Sequence, residues 1–210
     1  MGTRHLILIR HGAVGKQYAG RYLGRTDAEL SETGRAQALI LGQRLADFGP
    51  DLCLSSPLRR ARETAALALP ELEPHIMEDL REIDFGAWEC KSLAEIQAAY
   101  PGLMDKWTRF DQDFVMPGGE AVAAFQRRVD TVKKRIVTAA SETTVVITHG
   151  GVVRSLLCSL MDLPPRSRLA FRLKRGGMAT LRLENGKAVL IGIQNPEARG
   201  GSSGSVGPGD

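Results

Sequence analysis

Three short apolar runs in this chain each stop at a polar cluster and then lead into a helical stretch, which narrows its possible folds more than any other feature. His5 to Arg10 ends at His11-Gly12, Leu52 to Ser55 at Ser56-Pro57-Leu58-Arg59-Arg60, and Thr144 to Thr148 at His149-Gly150-Gly151. Strands alternating with helices predict a three-layer α/β/α fold, a mostly parallel sheet flanked by helices. Ligands in such sheets bind beyond the carboxyl ends of the strands. The three clusters are therefore expected at one edge, an arrangement that packing alone does not explain.

The intervening segments fit the same plan. Gly12 to Leu30 has no clear period and reads as a long loop. Ser31 is a helix cap for Arg35 to Phe48, stopped by Gly49-Pro50, and Leu58 to Leu69 forms a second helix after Pro57. Ile76 to Met77 is a candidate strand, Ile83 to Trp88 a loop, and Ser92 to Tyr100 and Pro101 to Phe110 two short helices. Val122, Phe125, Val129, Val132 and Ile136 recur at spacings of three and four, one face of a long helix. A helix to Met161 follows Gly150-Gly151. Leu181 to Leu183 and Ala188 to Ile193, joined by Asn185-Gly186, predict a closing hairpin. One domain is expected over 1–196, with 92–119 as a small helical insertion over the site and 197–210 as a flexible tail.

Composition removes several function classes. At 210 residues with 43% hydrophobic and 25% charged residues, the chain is long enough for a proper core. No apolar run approaches the roughly 20 residues of a bilayer span. Leu6 to Ile9 is too short for a signal-peptide core, so the cytoplasm is the expected location, with no membrane partner. Cys53, Cys90 and Cys158 are scattered and odd in number, neither a disulfide framework nor a zinc pattern. No His, Cys or carboxylate set has ligand spacing, so no metal is expected. Arginine supplies 21 of the 28 basic residues, and the net charge is +4. Arginine forks match phosphate oxygens. The basic residues are scattered and aromatics are only 5%, which argues against nucleic acid.

Alone, Arg10-His11-Gly12 is a weak signal, because a histidine at a strand end is more often structural than nucleophilic. The arginine-dense helix start after Ser56 and the His149-Gly150-Gly151 helix start, with its free N–H groups, turn it into an anion site. His5 and His75 have no supporting cluster, and Trp88 and Trp107 read as core or pocket wall.

With these pieces in order, the sequence resembles the histidine phosphatase superfamily, also called phosphoglycerate mutase-like. The motifs are Arg10-His11-Gly12; Tyr22 to Asp27 with Leu30 to Gly34; Ser55 to Ala65; Leu80 to Glu89; and Thr148-His149-Gly150. The resemblance covers most of residues 5–193. It implies that His11 attacks phosphorus and carries it as phosphohistidine. Arg10, Arg60 and His149 would surround the phosphoryl oxygens. Arg60 is chosen over Arg59 because the family's arginine directly precedes the alanine, here Ala61. Glu82 would be the general acid, with Asp84 the competing carboxylate. Gly12, Gln17, Leu23, Gly24 and Gly150 are the expected substrate-binding positions, Gly12 by letting the backbone approach the phosphate. No cofactor is implied, and the partner is a small phosphorylated metabolite. The closing hairpin is a candidate edge for a homodimer.

Four positions depart from the glycolytic mutases of the family: Ala13 for glutamate, Gln17 for asparagine, Leu23 for threonine, and Cys90 for the glycine of Trp-Glu-Gly. The segment from Ser92 to Gly119 is also shorter. Hydrolysis is thus expected before mutase transfer, with a phosphoglycerate mutase or a catalytically silent member as alternatives. The motif style of Tyr22 to Asp27 and Leu80 to Glu89 is similar to α-ribazole phosphatases of cobalamin biosynthesis. The same branch holds broad-specificity phosphatases for sugar phosphates and nucleotides.

Overall fold

Leu6, Ile7, Leu8 and Ile9 are all fully buried, because the strand that carries them lies inside the sheet with helices on both faces. The computed structural model describes residues 3–184 and 187–196. Among these, β1 (Arg4–Arg10), β2 (Leu52–Ser55), β3 (His75–Ile76), β4 (Thr143–Thr148), β5 (Met178–Glu184) and β6 (Lys187–Gln194) form one sheet in the order β3-β2-β4-β1-β5-β6. The β1–β4, β2–β4 and β2–β3 pairs are parallel, whereas β5 runs antiparallel to β1 and β6. The mixed sheet between helical layers is the expected three-layer α/β fold.

Side chains alternate across β1. Leu6 and Leu8 join a core with Phe125, Val129, Val132 and Ile136 of α5 (Val122–Thr138) and with Val152, Val153 and Leu156 of α6 (Gly150–Leu160). Ile7 and Ile9 join a second core with Leu41 and Leu45 of α1 (Glu32–Leu45) and Ala61 and Ala65 of α2 (Arg59–Ala68). The period of two in the strand and of three to four in the helices thus builds two cores from one apolar run.

Boundaries moved by a few residues, with visible causes. Ser31 caps α1 as expected, accepting from the Gly34 N–H, but the α-helix stops at Leu45 and a 3₁₀ turn reaches Phe48 before left-handed Gly49. A capping box between Ser92 and Glu95 starts α3 (Leu93–Ala99). The next short helix, α4, spans Leu103–Arg109. β5 begins at Met178, three residues before its expected start, because Gly176 and Gly177 bond back to the end of β1. The Asn185-Gly186 turn and the 197–210 tail lie outside the described residues. No helix among the described residues is long and apolar enough to cross a membrane.

Candidate active site

The three polar clusters meet at the carboxyl edge of β1, β2 and β4. Parallel pairing brings the strand ends level: the His11 N–H donates to the Thr148 carbonyl at 2.9 Å, and the Ser56 N–H to the Ile147 carbonyl at 3.0 Å. The start of β5 closes the same edge, with the Gly176 N–H donating to the carbonyls of Arg10 and His11.

At its centre His11 is buried in a defined tautomer. Its Nδ1 lies 2.8 Å from the Gly12 carbonyl, which can only accept, so Nδ1 carries the proton. Nε2 therefore carries the lone pair, which accepts from Arg60 Nε at 3.2 Å. The Arg60 guanidinium is fixed on its other side by the carbonyls of Thr26 (2.6 Å) and Gly24 (2.7 Å). Glu89 holds that loop in turn, accepting from the N–H groups of Gly24 and Arg25 and from the Thr26 hydroxyl. Arg59, one residue away, points to Glu29 and Glu63 instead.

His149 is fully buried, and its ring lies 5.1 Å from that of His11. Its Nε2 is 2.7 Å from Ser56 Oγ, and its Nδ1 has no hydrogen-bond partner among the described residues. Glu82 accepts from the N–H of Ile83 (3.1 Å) and, at the start of α6, from the Gly151 N–H (2.9 Å). Glycines permit this closeness. A Cβ on Gly151 would lie 2.4 Å from Glu82 Oε1, and one on Gly150 3.1 Å from Arg10 Nε. Arg128 clamps the segment before Glu82 by donating to the carbonyls of Asp79, Arg81 and Glu82 while pairing with Glu120.

Burial and positive neighbours make both histidines neutral. Desolvation, then Arg60 and Arg10, holds His11 well below its ordinary value; desolvation, then Arg60, does the same for His149. Burial also pushes Arg60 down to about 10, which still leaves it charged at neutral pH. A neutral imidazole nitrogen beside fixed guanidinium groups can attack an electrophile that carries negative charge.

His11, Arg10, Glu82, Leu23 and Gly150 line one cavity of about 370 Å³, walled on its far side by α3 and α4. Arg60 contacts His11 but is not among the residues that line this cavity. Gly24 acts through its carbonyl on Arg60, and its packing against the Ile83 carbonyl leaves no room for a Cβ. Gly12 is packed so tightly on α1 that a Cβ would meet the Gly34 carbonyl at 2.5 Å. Gln17 is exposed, folds back over Gly15 and does not reach the cavity. The two competing carboxylates separate: Glu82 faces the cavity, while Asp84 accepts from the Gly86 N–H in a turn.

Sequence reasoning missed the supporting residues Glu89, Arg128, Ser56 and Thr64, the last accepting from the Gly12 N–H. It also missed Arg154, Arg168 and Arg175, which line the cavity. Ser56, Thr64 and Glu89 lie in motifs already singled out, whereas Arg128, Arg154, Arg168 and Arg175 carried no such signal.

The adenosylcobalamin/alpha-ribazole phosphatase of Salmonella typhimurium is 32% identical over 196 residues, covering 88% of this chain and 97% of that protein. Phosphoserine phosphatase 1 of Hydrogenobacter thermophilus is 29% identical, covering 89% and 90%. The crystal structure of the alpha-ribazole phosphatase from Shigella flexneri superposes with a TM-score of 0.81 at 30% identity, covering 95% of this chain and all of that one. These relatives carry phosphatase names and support a phosphatase. The model of the histidine phosphatase superfamily (branch 1) matches residues 6–196, and on that match and these identities the chain belongs to this superfamily.

Proposed function

We propose that the protein is a phosphomonoester hydrolase that works through a phosphohistidine on His11 and needs no metal. The observation that carries this reading is the Nδ1 contact of His11 to the Gly12 carbonyl, which leaves Nε2 as a lone-pair nucleophile facing Arg60. In the first step Nε2 gives up its hydrogen bond from Arg60 and bonds to phosphorus as the ester P–O bond breaks. Glu82 gives its proton to the leaving oxygen. In the second step water attacks phosphorus, Glu82 takes a proton from it, the P–N bond breaks, and phosphate leaves. Arg10 and Arg60 offset the charge on the phosphoryl oxygens. His149 adds a neutral donor: Ser56 can donate to its Nε2, so that Nδ1–H is available to an oxygen. Guanidinium groups thereby supply the positive charge that a metal would otherwise bring.

Transfer to water rather than to a second alcohol is supported by apolar Leu23 in the cavity wall and by Gln17 lying outside it. For the alcohol half, motif style and the named relatives favour α-ribazole 5′-phosphate. Tyr22, Phe85 and Trp107 offer it an aromatic wall. The cationic character of the same cavity favours an acidic alcohol instead.

The test is phosphate release with EDTA present, for the wild type and His11→Ala. Activity that survives chelation and vanishes in the variant is expected, together with an acid-labile, base-stable phosphoenzyme. Loss of activity with chelator would overturn the metal-free reaction, and a labelled His11→Ala enzyme would overturn the nucleophile.

A further inference from the structure

The cavity is lined by four arginines that the reaction does not use: Arg21, which pairs with Glu95, and Arg154, Arg168 and Arg175. Arg154 is on α6, three residues after Gly151, and so on the same helix face as the N–H that holds Glu82. Arg168 is buried, its guanidinium lying 4.4 Å from the Trp107 ring centroid and 4.3 Å from that of Phe110, with Nη2 donating to the Trp107 carbonyl at 2.8 Å. Both line the cavity with Tyr22 and Glu82.

Neither arginine forms an ion pair among the described residues. Each has a buried Nε without a hydrogen-bond partner. They are also close enough to repel: burial, then the charge of Arg154, pushes Arg168 down to about 10. Two like charges withdrawn from water are costly unless a ligand compensates them. Glu82 acts on both arginines through space, but neither Glu82 nor Asp105, the carboxylates lining the cavity, forms an ion pair with either of them. No direct ion pair therefore offsets the two guanidinium groups at this end of the cavity.

We propose that Arg154 and Arg168 form an anion subsite for the alcohol half of the substrate, so that the enzyme acts on phosphomonoesters whose leaving alcohol carries a second acid group, a carboxylate or another phosphate. The subsite rests on the phosphatase reading above and selects among its substrates. Arg168 is held rigidly by its two aromatic rings and one carbonyl. Arg154, without such anchors, reaches the ligand from the helix above Glu82. An acid group there recovers charge-assisted hydrogen bonds that the empty cavity lacks.

The experiment compares kcat/KM for matched esters: 3-phosphoglycerate against glycerol 3-phosphate for the carboxylate, fructose 1,6-bisphosphate against fructose 1-phosphate for the phosphate. α-Ribazole 5′-phosphate and p-nitrophenyl phosphate are the uncharged-alcohol controls. The wild type is expected to prefer the acidic member of at least one pair by roughly 10- to 100-fold, the worth of one charge-assisted hydrogen bond. Arg154→Gln should collapse that ratio, chiefly through KM of the acidic ester, and Arg154→Lys should restore part of it. An unchanged ratio in both variants, no acidic preference in the wild type, or a kcat/KM for α-ribazole 5′-phosphate above every acidic ester would overturn the subsite. Absence of p-nitrophenyl phosphate turnover would instead overturn the phosphatase reading itself.

Discussion

Arg60 Nε donates to His11 Nε2 at 3.2 Å, while the other two nitrogens of the same guanidinium are tied to the carbonyls of Thr26 and Gly24. The contact links the nucleophile to a loop more than 30 residues from Arg60 in sequence. It also orients a positive charge beside the lone pair before any substrate arrives. A lysine has one ammonium and cannot span two carbonyls and an imidazole at once. Arg60→Lys is therefore expected to lower kcat on p-nitrophenyl phosphate by roughly 100- to 1,000-fold, the cost of one misplaced oxyanion donor. Circular dichroism should show the fold retained. A kcat within a few-fold of wild type would contradict this role.

The neutral state of the two site histidines sets the acid behaviour. Burial first, then arginine charge for His11, and burial with Arg60 for His149, holds both well below their ordinary value of 6.5. Below pH 6.5 the unfolded chain protonates these side chains while the native protein does not. The unfolded state then binds more protons, so stability falls as pH falls. Each histidine contributes about 1.4 kcal/mol per pH unit until its native value is reached. Denaturant melts at pH 7, 6 and 5 should show the decline, and His149→Asn should flatten it. The acid limb of kcat/KM should also lie below pH 6.5, because His11 remains an unprotonated nucleophile there.

Much of this site was legible because its parts sit at strand ends. A run such as Leu6-Ile7-Leu8-Ile9 followed by a polar pair identifies a sheet edge and draws attention to His11 and His149, while Arg60 and Glu82 came from the resemblance of the ordered motifs to the family. The supports were not legible, since hydrogen bonds between distant segments leave no local pattern. Glu89 reaches Gly24, and Arg128 the carbonyl of Glu82, across 65 and 46 residues of sequence. The placement of Gln17 was open for a related reason: a motif gives position in the loop but not the direction of the side chain. The start of β5 was missed because Met178 and Ala179 follow two glycines whose pairing with β1 is a tertiary event.

Glu89 gives that hidden layer a test. Its carboxylate accepts from the Gly24 N–H, the Arg25 N–H and the Thr26 hydroxyl, and so fixes the two carbonyls that hold Arg60. Glutamine presents an NH₂ group to some of these donors. Glu89→Gln is expected to cost roughly 1–3 kcal/mol in stability and about tenfold in kcat. The loss should not add to that of Arg60→Lys, because both changes act on one guanidinium. Full additivity of the two activity losses in the double variant would argue that Glu89 acts elsewhere.

Glu82 carries the last prediction, through the chemistry of the leaving group. Its oxygens are fixed by the N–H groups of Ile83 and Gly151, so the carboxyl has a set position in the cavity that His11 also lines. A proton donor matters most when the departing oxygen is basic. An alkyl phosphate releases a strongly basic alkoxide, whereas p-nitrophenolate leaves without help. Glutamine keeps the shape of the side chain but has no acidic proton. Glu82→Gln is therefore expected to lower kcat/KM for an alkyl phosphate by roughly 100-fold or more. The first step with p-nitrophenyl phosphate should slow far less. Pre-steady-state kinetics separate the two steps, since loss of the general base for water leaves a burst of p-nitrophenol followed by slow turnover. An equal loss for both esters, with no burst, would show that the proton comes from another group.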